Sequence, residues 1–343
     1  MRLGVVLFQL GGPDSAAAIE PFLFNLFSDP DIIDFPFARL GRKPLARLIA
    51  TTRARKVQHH YEAIGGCSPI RRFTEMQARA LESALRNDGV DARCVVAMRY
   101  WHPFTNEAIA ELQTFAPDEI VLLPLYPQYS STTTGSSLNE WQRRWNHSDD
   151  VGPRSPSTGR RSNRPAIYTI RDFYRDPQYL DALCDRIAAT LARFPASAAA
   201  DLVFSAHSVP MSVVERGDPY QLQIEETAER VMQRGGWHNR HRLCYQSKVG
   251  ASRWLQPSLR ATIRELGAAG VKELCVVPIS FVSDHVETLG EIDHEARALA
   301  AQMGIERFEL VPGLNDSPAF IAALAGLVLR AAGIERETLI AAD

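Results

Sequence analysis

The stretches Val121-Leu122-Leu123-Pro124-Leu125 and Cys275-Val276-Val277-Pro278-Ile279 decide the fold. Each is a short apolar run of the kind found in a strand buried on both faces of a parallel sheet. Each is the last strong strand of its half of the chain. An earlier pair is also similar, because Leu7-Phe8-Gln9 and Val203-Phe204-Ser205 both run into turns that contain proline. The pattern predicts two similar doubly wound α/β units with a cleft between them.

Strands and helices alternate along both halves, as in βαβ units. The predicted strands are 3–9, 93–98, 119–125, 201–206, 242–246 and 273–279. The predicted helices are 73–86, 105–114, 179–193, 221–233, 258–266, 285–302 and 318–331. The segment 147–165 is rich in Gly, Pro, Ser and charge, which predicts a mobile polar insertion. We therefore expect a first domain at 1–146, the insertion at 147–165, a second domain at 166–316 and a C-terminal segment at 317–343.

Composition excludes several classes of protein. The 343 residues carry 38 basic and 40 acidic side chains, a formal net charge of −2, so no basic field favours nucleic acid as a partner. The five cysteines form no C-x-x-C pair, which argues against a zinc ribbon or a disulfide framework and suits a cytoplasmic protein. The apolar run 320–329 is too short to span a membrane, and residues 3–10 are better explained as a buried strand than as a signal peptide.

Ligands of open α/β sheets bind beyond the carboxyl ends of the strands. His207 directly follows a predicted strand, within Ser205-Ala206-His207-Ser208-Val209-Pro210. An imidazole there can ligate a metal or move a proton near neutral pH. A strand-end histidine that only bonds a neighbouring carbonyl is an equally good interpretation of this residue alone.

A second polar segment, residues 281–291, follows the strand that ends near Ile279. Asp284 and Glu287 fit a capping box, in which Glu287 would fold back on the helix start. Glu287 and Glu291 also stand at i, i+4, and His294 would continue that face at i+7 in an α-helix. Stacked acids need a compensating cation, so a metal or proton path fits as well as a solvated face bridged to arginines.

Other strand ends are polar or aromatic. Eight of the nine residues from Tyr129 to Ser137 carry a hydroxyl, and these could cap a helix or hold an anion. Arg99 and Tyr100 add a cation and a flat ring, and Trp254 lies beyond another strand. Each aromatic alone is more often a core residue than a contact. Their convergence at one sheet edge indicates a ligand pocket.

The run Phe22–Phe27 is too apolar for an ordinary surface loop. Two interpretations stay open. It is either a core helix or an apolar lip over a flat hydrophobic ligand, and such a lip could also contact a membrane surface.

Five of these segments resemble the ferrochelatase family. They are Gly-Gly-Cys-Ser-Pro-Ile (65–70), Met-Arg-Tyr-Trp-His-Pro (98–103), Leu-Tyr-Pro-Gln-Tyr-Ser (125–130), Ser-Ala-His-Ser-Val-Pro (205–210) and Ser-Asp-His-Val-Glu-Thr-Leu (283–289). They occur in the family's order and span nearly the whole chain. The type resembled is the bacterial protoporphyrin ferrochelatase.

The resemblance implies two Rossmann-like, chelatase-type domains with an active-site cleft between them, and a C-terminal helix that packs back on the first domain. It implies a lyase that inserts Fe²⁺ into protoporphyrin IX to form protohaem, the last step of haem biosynthesis. His207 and Glu287 would be the catalytic and metal-binding pair, supported by three neighbours: Asp284, His285 and Glu291. Five residues match positions that line the porphyrin pocket: Ser68, Arg99, Tyr100, Tyr129 and Trp254.

The chain departs from some relatives. It has no cysteine after Cys275, so we expect no iron–sulfur cluster and no other prosthetic group, with Fe²⁺ acting as substrate. Leu10 stands where some relatives carry methionine or tyrosine. We expect a monomer. The alternatives are a chelatase for cobalt, nickel or coproporphyrin, or a porphyrin-binding protein without catalysis, and the sequence leaves open which of His207 and Glu287 is base and which is ligand.

Overall fold

The computed structural model describes residues 1–32, 38–147, 164–197, 199–248 and 252–334. These residues form two four-stranded sheets. The strands are β1 Arg2–Gln9, β2 Asp91–Met98, β3 Glu119–Pro124 and β4 Ala166–Thr169 in the first sheet, and β5 Asp201–His207, β6 His241–Gln246, β7 Glu273–Pro278 and β8 Arg307–Leu310 in the second. All neighbouring strands are parallel.

The two sheets have the same strand order, β2-β1-β3-β4 and β6-β5-β7-β8. In each, the first strand of the half lies between the second and the third. The sheets are flanked by helices α1 Ile19–Phe27, α2 Ala38–Ala63, α3 Ile70–Asn87, α4 Thr105–Phe115, α5 Ser136–His147, α6 Pro177–Leu191, α7 Met211–Glu215, α8 Tyr220–Gly235, α9 Leu259–Ala268, α10 Arg297–Gln302 and α11 Pro318–Ala331. The predicted pair of doubly wound α/β units is confirmed.

All six predicted strands are present, and two short edge strands were not predicted. β4 and β8 have four residues each, and their mostly exposed or half-buried side chains leave no apolar run to find. Because β4 pairs with β3, the predicted domain boundary at residue 166 is wrong: the first sheet extends to Thr169. Most of the polar insertion predicted at 147–165, and residues 335–343 of the predicted C-terminal segment, lie outside the described residues.

The segment predicted as one helix at 285–302 contains two types of helix. Residues Glu287–Ala296 form a π-helix, which continues into α10. In a π-helix each N–H bonds the carbonyl five residues back, so the turn is wider than in an α-helix. We call the segment Glu287–Ala296 the π-helix below.

One hydrophobic core joins the two halves. It contains side chains from β1, β3, β5 and β7 together with most of α11. α11 packs against α3 from the first half and α6 from the second. Gln77 of α3 adds a polar link, since its amide donates to Ser283 Oγ at 3.0 Å and to the Asn315 carbonyl at 2.9 Å. In the described part of the chain, no helix combines the length and apolar character that crossing a bilayer requires.

Candidate active site

The topology places one crevice in the second sheet. β5 and β7 are neighbours, but the chain leaves β5 towards β6 on the other side. A switch point of this kind separates the loops that follow the two strands and opens a binding crevice. His207 is the last residue of β5, and the loop after β7 leads into the π-helix at Glu287.

His207 and Glu287 meet in this crevice. The Nδ1 atom of His207 lies 2.8 Å from Oε2 of Glu287, which is a hydrogen bond. The His207 side chain is 36% exposed and that of Glu287 is 17% exposed, so the pair is reachable from solvent. Glu287 therefore does not act as the capping-box residue that the sequence also allowed; its carboxylate bonds a histidine from another strand.

The backbone N–H and carbonyl of His207 are both hydrogen-bonded. Its N–H donates to Ser280 Oγ at 3.0 Å, and its carbonyl accepts from the Tyr220 hydroxyl at 2.9 Å. The imidazole packs edge-on against the Phe281 ring, with centroids 6.3 Å apart. These contacts orient the ring towards Glu287.

Ser247 connects the pair to a second carboxylate. Its Oγ lies 3.0 Å from Oε2 of Glu287 and 2.7 Å from Oε2 of Glu291. A hydroxyl carries one proton, so Ser247 donates in one contact and accepts in the other when Glu291 is protonated. Ser247 follows β6 directly and has a φ of +64°, in the left-handed region that a serine rarely adopts.

The pKa values of the two carboxylates, Glu287 and Glu291, are shifted in opposite directions. Burial would raise the pKa of Glu287, but the charge and hydrogen bond of His207 outweigh it and lower that pKa to about 2. Burial, and then the charge of Glu287, raises the pKa of Glu291 to about 7. For His207, burial alone would lower the pKa, yet the Glu287 carboxylate raises it above its usual value. The arrangement thus has a permanent anion, a basic imidazole and a carboxyl that titrates near neutrality.

Asp284 and His285 support the start of the π-helix. Asp284 accepts hydrogen bonds from the Gly313 N–H at 3.1 Å and from the Asn315 amide at 2.8 Å, which ties it to the loop after β8. His285 is buried, with Nδ1 3.1 Å from the Ser283 carbonyl. Burial lowers the pKa of His285, so the ring is neutral and Nδ1 carries the proton that bonds Ser283.

Arg99 and Tyr100 belong to a buried polar network in the first half. Asp29 is its centre: it pairs with Arg99 at 2.9 Å and accepts from the hydroxyls of Tyr100 and Ser136 at 2.6 Å each. The Tyr100 side chain has no exposed surface. In this structure both residues are engaged with Asp29, and Tyr100 has no exposed surface with which to touch a ligand.

Ser68 is buried against the turn after β1. Its N–H donates to the Pro13 carbonyl at 2.8 Å. A Cβ at Gly12 would lie 2.7 Å from the Cβ and Oγ of Ser68, so only glycine allows this contact. The turn that follows β1 is thereby held to the segment before α3.

Tyr129 and Trp254 are half-buried. The Tyr129 N–H donates to the Gln223 side chain at 2.6 Å, and the Arg171 guanidinium lies 4.3 Å from its ring centre. Trp254 forms a backbone bridge with Pro210, three residues beyond His207. Its indole N–H has no hydrogen-bond partner among the described residues.

The run Phe22–Phe27 lies entirely within helix α1, and much of it is core. Phe22, Leu23 and Phe27 are buried in a cluster with α2 residues, whereas Phe24 and Leu26 are half-buried. Leu10 packs against the same cluster. A separate cavity of about 390 Å³ is lined by α3, β2 and α4 residues and by none of the predicted site residues.

Sequence reasoning did not assign two residues of this site. Ser247 stands at a strand end, so the rule that found His207 could also have found it. Tyr61 of α2 had no such signal. It is buried in α2, which packs against the π-helix, and burial followed by the charges of Glu287 and Glu291 raises its pKa.

Comparisons with known proteins agree along the whole chain. The sequence model of the family described as ferrochelatase matches residues 2–332. A ferrochelatase of Thermosynechococcus vestitus is 50% identical over 332 residues, covering 96% of this chain and 82% of that protein. A ferrochelatase of Nostoc punctiforme is 48% identical over 332 residues, with the same coverage.

Solved structures support the fold. SirB from Bacillus subtilis with Fe³⁺ superposes with a TM-score of 0.54 at 13% identity, covering 97% of each chain. DR2241 from Deinococcus radiodurans, described as similar to chelatases, gives 0.52 at 14% identity and covers 95% of this chain and 54% of that one. The two α/β units are thus of the chelatase type.

Proposed function

The chain belongs to the ferrochelatase family, and we propose that it inserts ferrous iron into protoporphyrin IX, forming haem, at the His207–Glu287 pair. The observation that carries the site assignment is the 2.8 Å hydrogen bond between an imidazole at the end of β5 and a carboxylate at the start of the π-helix. The two groups come from positions eighty residues apart and meet at the switch point, where the fold places ligands.

The reaction defines what the site must do. A porphyrin with two pyrrole N–H groups takes up Fe²⁺ and releases two protons. The site therefore has to accept protons from the ring plane and hold a divalent cation next to it. An imidazole beside a carboxylate supplies one group of each kind.

The directions of the two pKa shifts support different roles for Glu287 and His207. Glu287, with a lowered pKa, is a weak proton acceptor and stays anionic, which suits an iron ligand. His207, with a raised pKa, is the stronger base and accepts the pyrrole protons. A 2.8 Å contact leaves no room for an ion between the two atoms, so an arriving cation displaces the proton they share.

Ser247 and Glu291 give the protons a way out. Ser247 contacts both carboxylates, and Glu291 has a pKa of about 7, so it can accept and release a proton near neutral pH. Glu291 is half-buried rather than enclosed, so a proton on it can pass to solvent.

The porphyrin would be gripped by the aromatic and polar residues around the crevice. Trp254 lies beside the segment after His207, and within the described part of the chain its indole N–H meets no hydrogen-bond partner; Tyr129 presents a half-buried ring. From the first half, Ser68 and Arg99 would line the pocket wall, and the fully buried Tyr100 would support them through Asp29. Binding energy from the ring periphery could then distort the macrocycle and tilt its nitrogens towards the iron.

The test is anaerobic porphyrin absorbance with Fe²⁺ and the purified protein. We expect His207→Ala and Glu287→Gln to lower the insertion rate at least 100-fold while the Kd for protoporphyrin changes by less than about 3-fold. The exposed residues His238 and Glu229 provide matched controls, and His238→Ala and Glu229→Gln should behave like the wild type. Normal turnover by either site variant would reject the assignment.

The same assay separates the alternative functions. Faster insertion of Co²⁺ or use of coproporphyrin would favour the other chelatases, and porphyrin binding without iron uptake would favour a carrier.

We also propose that the protein holds no iron–sulfur cluster. Cys94, Cys244 and Cys275 are buried, and burial raises their pKa values, to about 12 for Cys244 and Cys275, so they stay protonated thiols. Acid-labile sulfide in the anaerobically purified protein would contradict this.

The remaining proposals concern setting and assembly. We propose a cytoplasmic monomer, because five cysteines without a C-x-x-C pair suit a reducing compartment. The half-buried side chains Phe24 and Leu26 of α1 are the part of the apolar lip that could touch a membrane surface. Sedimentation with and without anionic vesicles tests both points.

A further inference from the structure

The first turn of helix α8 contacts both the proposed catalytic histidine and the first half of the molecule. The Tyr220 hydroxyl donates to the His207 carbonyl at 2.9 Å. Three residues later, the buried Gln223 side chain accepts from the Tyr129 N–H at 2.6 Å. Residues three apart on an α-helix share a face, so one face of α8 holds both His207 and Tyr129.

Asp218, which precedes α8, makes a second contact with the first half. Its Oδ2 atom accepts from the N–H and the hydroxyl of Ser131 at 2.7 Å each, and from the Ser130 hydroxyl at 3.2 Å. Its Oδ1 atom accepts from the Tyr220 N–H at 3.1 Å. The carboxylate therefore uses one oxygen for its own helix and the other for the segment that follows Tyr129.

The position of the Tyr129 ring depends on these contacts. The segment Ser131–Gly135 forms a short helical turn that leads into α5. A Cβ at Gly135 would lie 3.2 Å from the Tyr129 hydroxyl oxygen, so the tip of the ring lies against the end of this turn. Gln223 thus holds the backbone of Tyr129, and Asp218 holds the turn against which its ring lies.

We propose that Asp218 and Gln223 are positioning residues, which hold Tyr129 where a porphyrin bound against it lies within reach of His207. This rests on the proposed function, in which Tyr129 grips the ring and His207 accepts its pyrrole protons. Tyr129 belongs to the first half and His207 to the second, so their spacing depends on contacts that cross between the halves. An aromatic wall already held in place also loses less conformational freedom when the ring binds.

The competing explanation is a tie between the halves that adds stability and has no effect on the substrate. Both explanations predict that losing Asp218 or Gln223 lowers the free energy of unfolding, because the N–H groups of Ser131 or Tyr129 lose their acceptors. Only the positioning role predicts weaker porphyrin binding by protein that is still folded. The Kd for porphyrin, measured well below the unfolding temperature, therefore separates the two explanations.

The binding experiment titrates the full chain with protoporphyrin IX without iron and follows porphyrin fluorescence. Asp218→Asn and Gln223→Leu should each raise the Kd about 5-fold, because the wall loses its support. An asparagine has one acceptor oxygen, so it cannot serve both Tyr220 and Ser131. Leu222→Ala, at a side chain 70% exposed in the same turn, is the control and should leave the Kd unchanged. An unchanged Kd for either folded variant would overturn the role of that residue.

Ser131→Ala tests the same contact from the first half. This exposed serine loses only its hydroxyl, so the variant should fold even if Asp218→Asn does not, and its Kd should rise about 2-fold. The double variant Asp218→Asn/Ser131→Ala should have the Kd of Asp218→Asn alone, since both changes break one contact. A Kd raised by the product of the two single effects would overturn this contact as the route by which Asp218 acts.

The kinetic experiment separates the two contacts of the α8 turn. Asp218→Asn should raise the KM for porphyrin about 5-fold and leave kcat and the KM for Fe²⁺ within about 2-fold, because the wall grips the ring equally before and during the reaction. Tyr220→Phe frees the His207 carbonyl and should lower kcat several-fold without changing the Kd for porphyrin. A fall in kcat alone for Asp218→Asn would overturn the positioning of Tyr129. If the wild type binds porphyrin but inserts no iron, the proposed function fails, and the Kd comparison still decides the positioning role.

Discussion

Glu287 and Glu291 lie four residues apart, share Ser247 as a hydrogen-bond partner, and differ in charge behaviour. Glu287 has a cationic partner in His207, which keeps its pKa low. Glu291 has burial and a neighbouring anion, which raise its pKa. Two carboxylates made different in this way can serve as ligand and as proton carrier, a division of roles that active sites often show.

This asymmetry has a measurable cost for folding. Glu291 keeps its proton to about pH 7 when folded but releases it near pH 4.5 when unfolded. Between these values the folded state holds more protons, so stability falls as pH rises. We expect Glu291→Gln, which cannot ionise, to gain about 1–3 kcal/mol over the wild type between pH 4 and pH 8. Urea denaturation at several pH values measures the difference, and a difference that does not vary with pH would contradict the assigned pKa.

The residues that carry the proposed chemistry could be found in the sequence because they directly follow strands. His207 ends β5, and the segment around Glu287 follows β7. Which partner each residue meets could not be found this way. The His207–Glu287 contact depends on how β5 and β7 pair and on how the π-helix turns. Neither can be predicted from the spacing of residues along the chain.

At the scale of the element, the type of helix decides which acids share a face. With an α-helical period, His294 would continue the face of Glu287 and Glu291. A π-helix has about 4.4 residues per turn, so Glu295 continues that face and His294 turns away. The structure agrees, because His294 is exposed whereas Glu295 contacts His60. Hydrophobic spacing gave the position of this helix but not its winding.

Helix α2 shows the opposite case, an element without a clear sequence signal. It spans Ala38–Ala63, contains Pro44 and many charged residues, and has no strong apolar face. Its position depends on tertiary contacts with α1 and the π-helix. The edge strands β4 and β8 were missed for a related reason, since their pairing rather than their composition defines them.

The Asp29 network holds together the ends of α1 and β2 and the start of α5. Asp29 follows α1, Arg99 and Tyr100 follow β2, and Ser136 begins α5. Asp29→Ala would leave the Arg99 charge and two hydroxyls buried without their acceptor, so we expect a loss of about 3–5 kcal/mol in unfolding free energy. Tyr100→Phe removes one hydroxyl and should cost about 1 kcal/mol. Equal, small losses for both variants in chemical denaturation would show that the network is solvated in solution.

At the scale of the whole molecule, the two sheets are topological copies that share one hydrophobic cluster, although each also packs a cluster of its own. Side chains from both sheets and α11 share one cluster, and the Gln77 amide spans the halves. A site built at the edge of one sheet and covered by α2 from the other half needs this rigidity. His207 and Glu287 both lie in the second half, so the relative position of the halves governs the cover that α2 gives them and not their 2.8 Å contact.

Phe320 tests whether the halves unfold together. Its side chain is fully buried in α11, with its ring centroid 6.5 Å from that of Tyr179 in α6. Phe320→Ala should cost about 3–5 kcal/mol, because it removes a large side chain from the shared core and leaves a cavity. In native-state hydrogen exchange, the amides of β1 and β5 should lose the same protection free energy, since both strands open only in global unfolding. Leu222→Ala, at a side chain 70% exposed, is the control and should change neither. Loss of protection confined to β5 would show that the second half opens alone. The first half would then stay folded while the second is open.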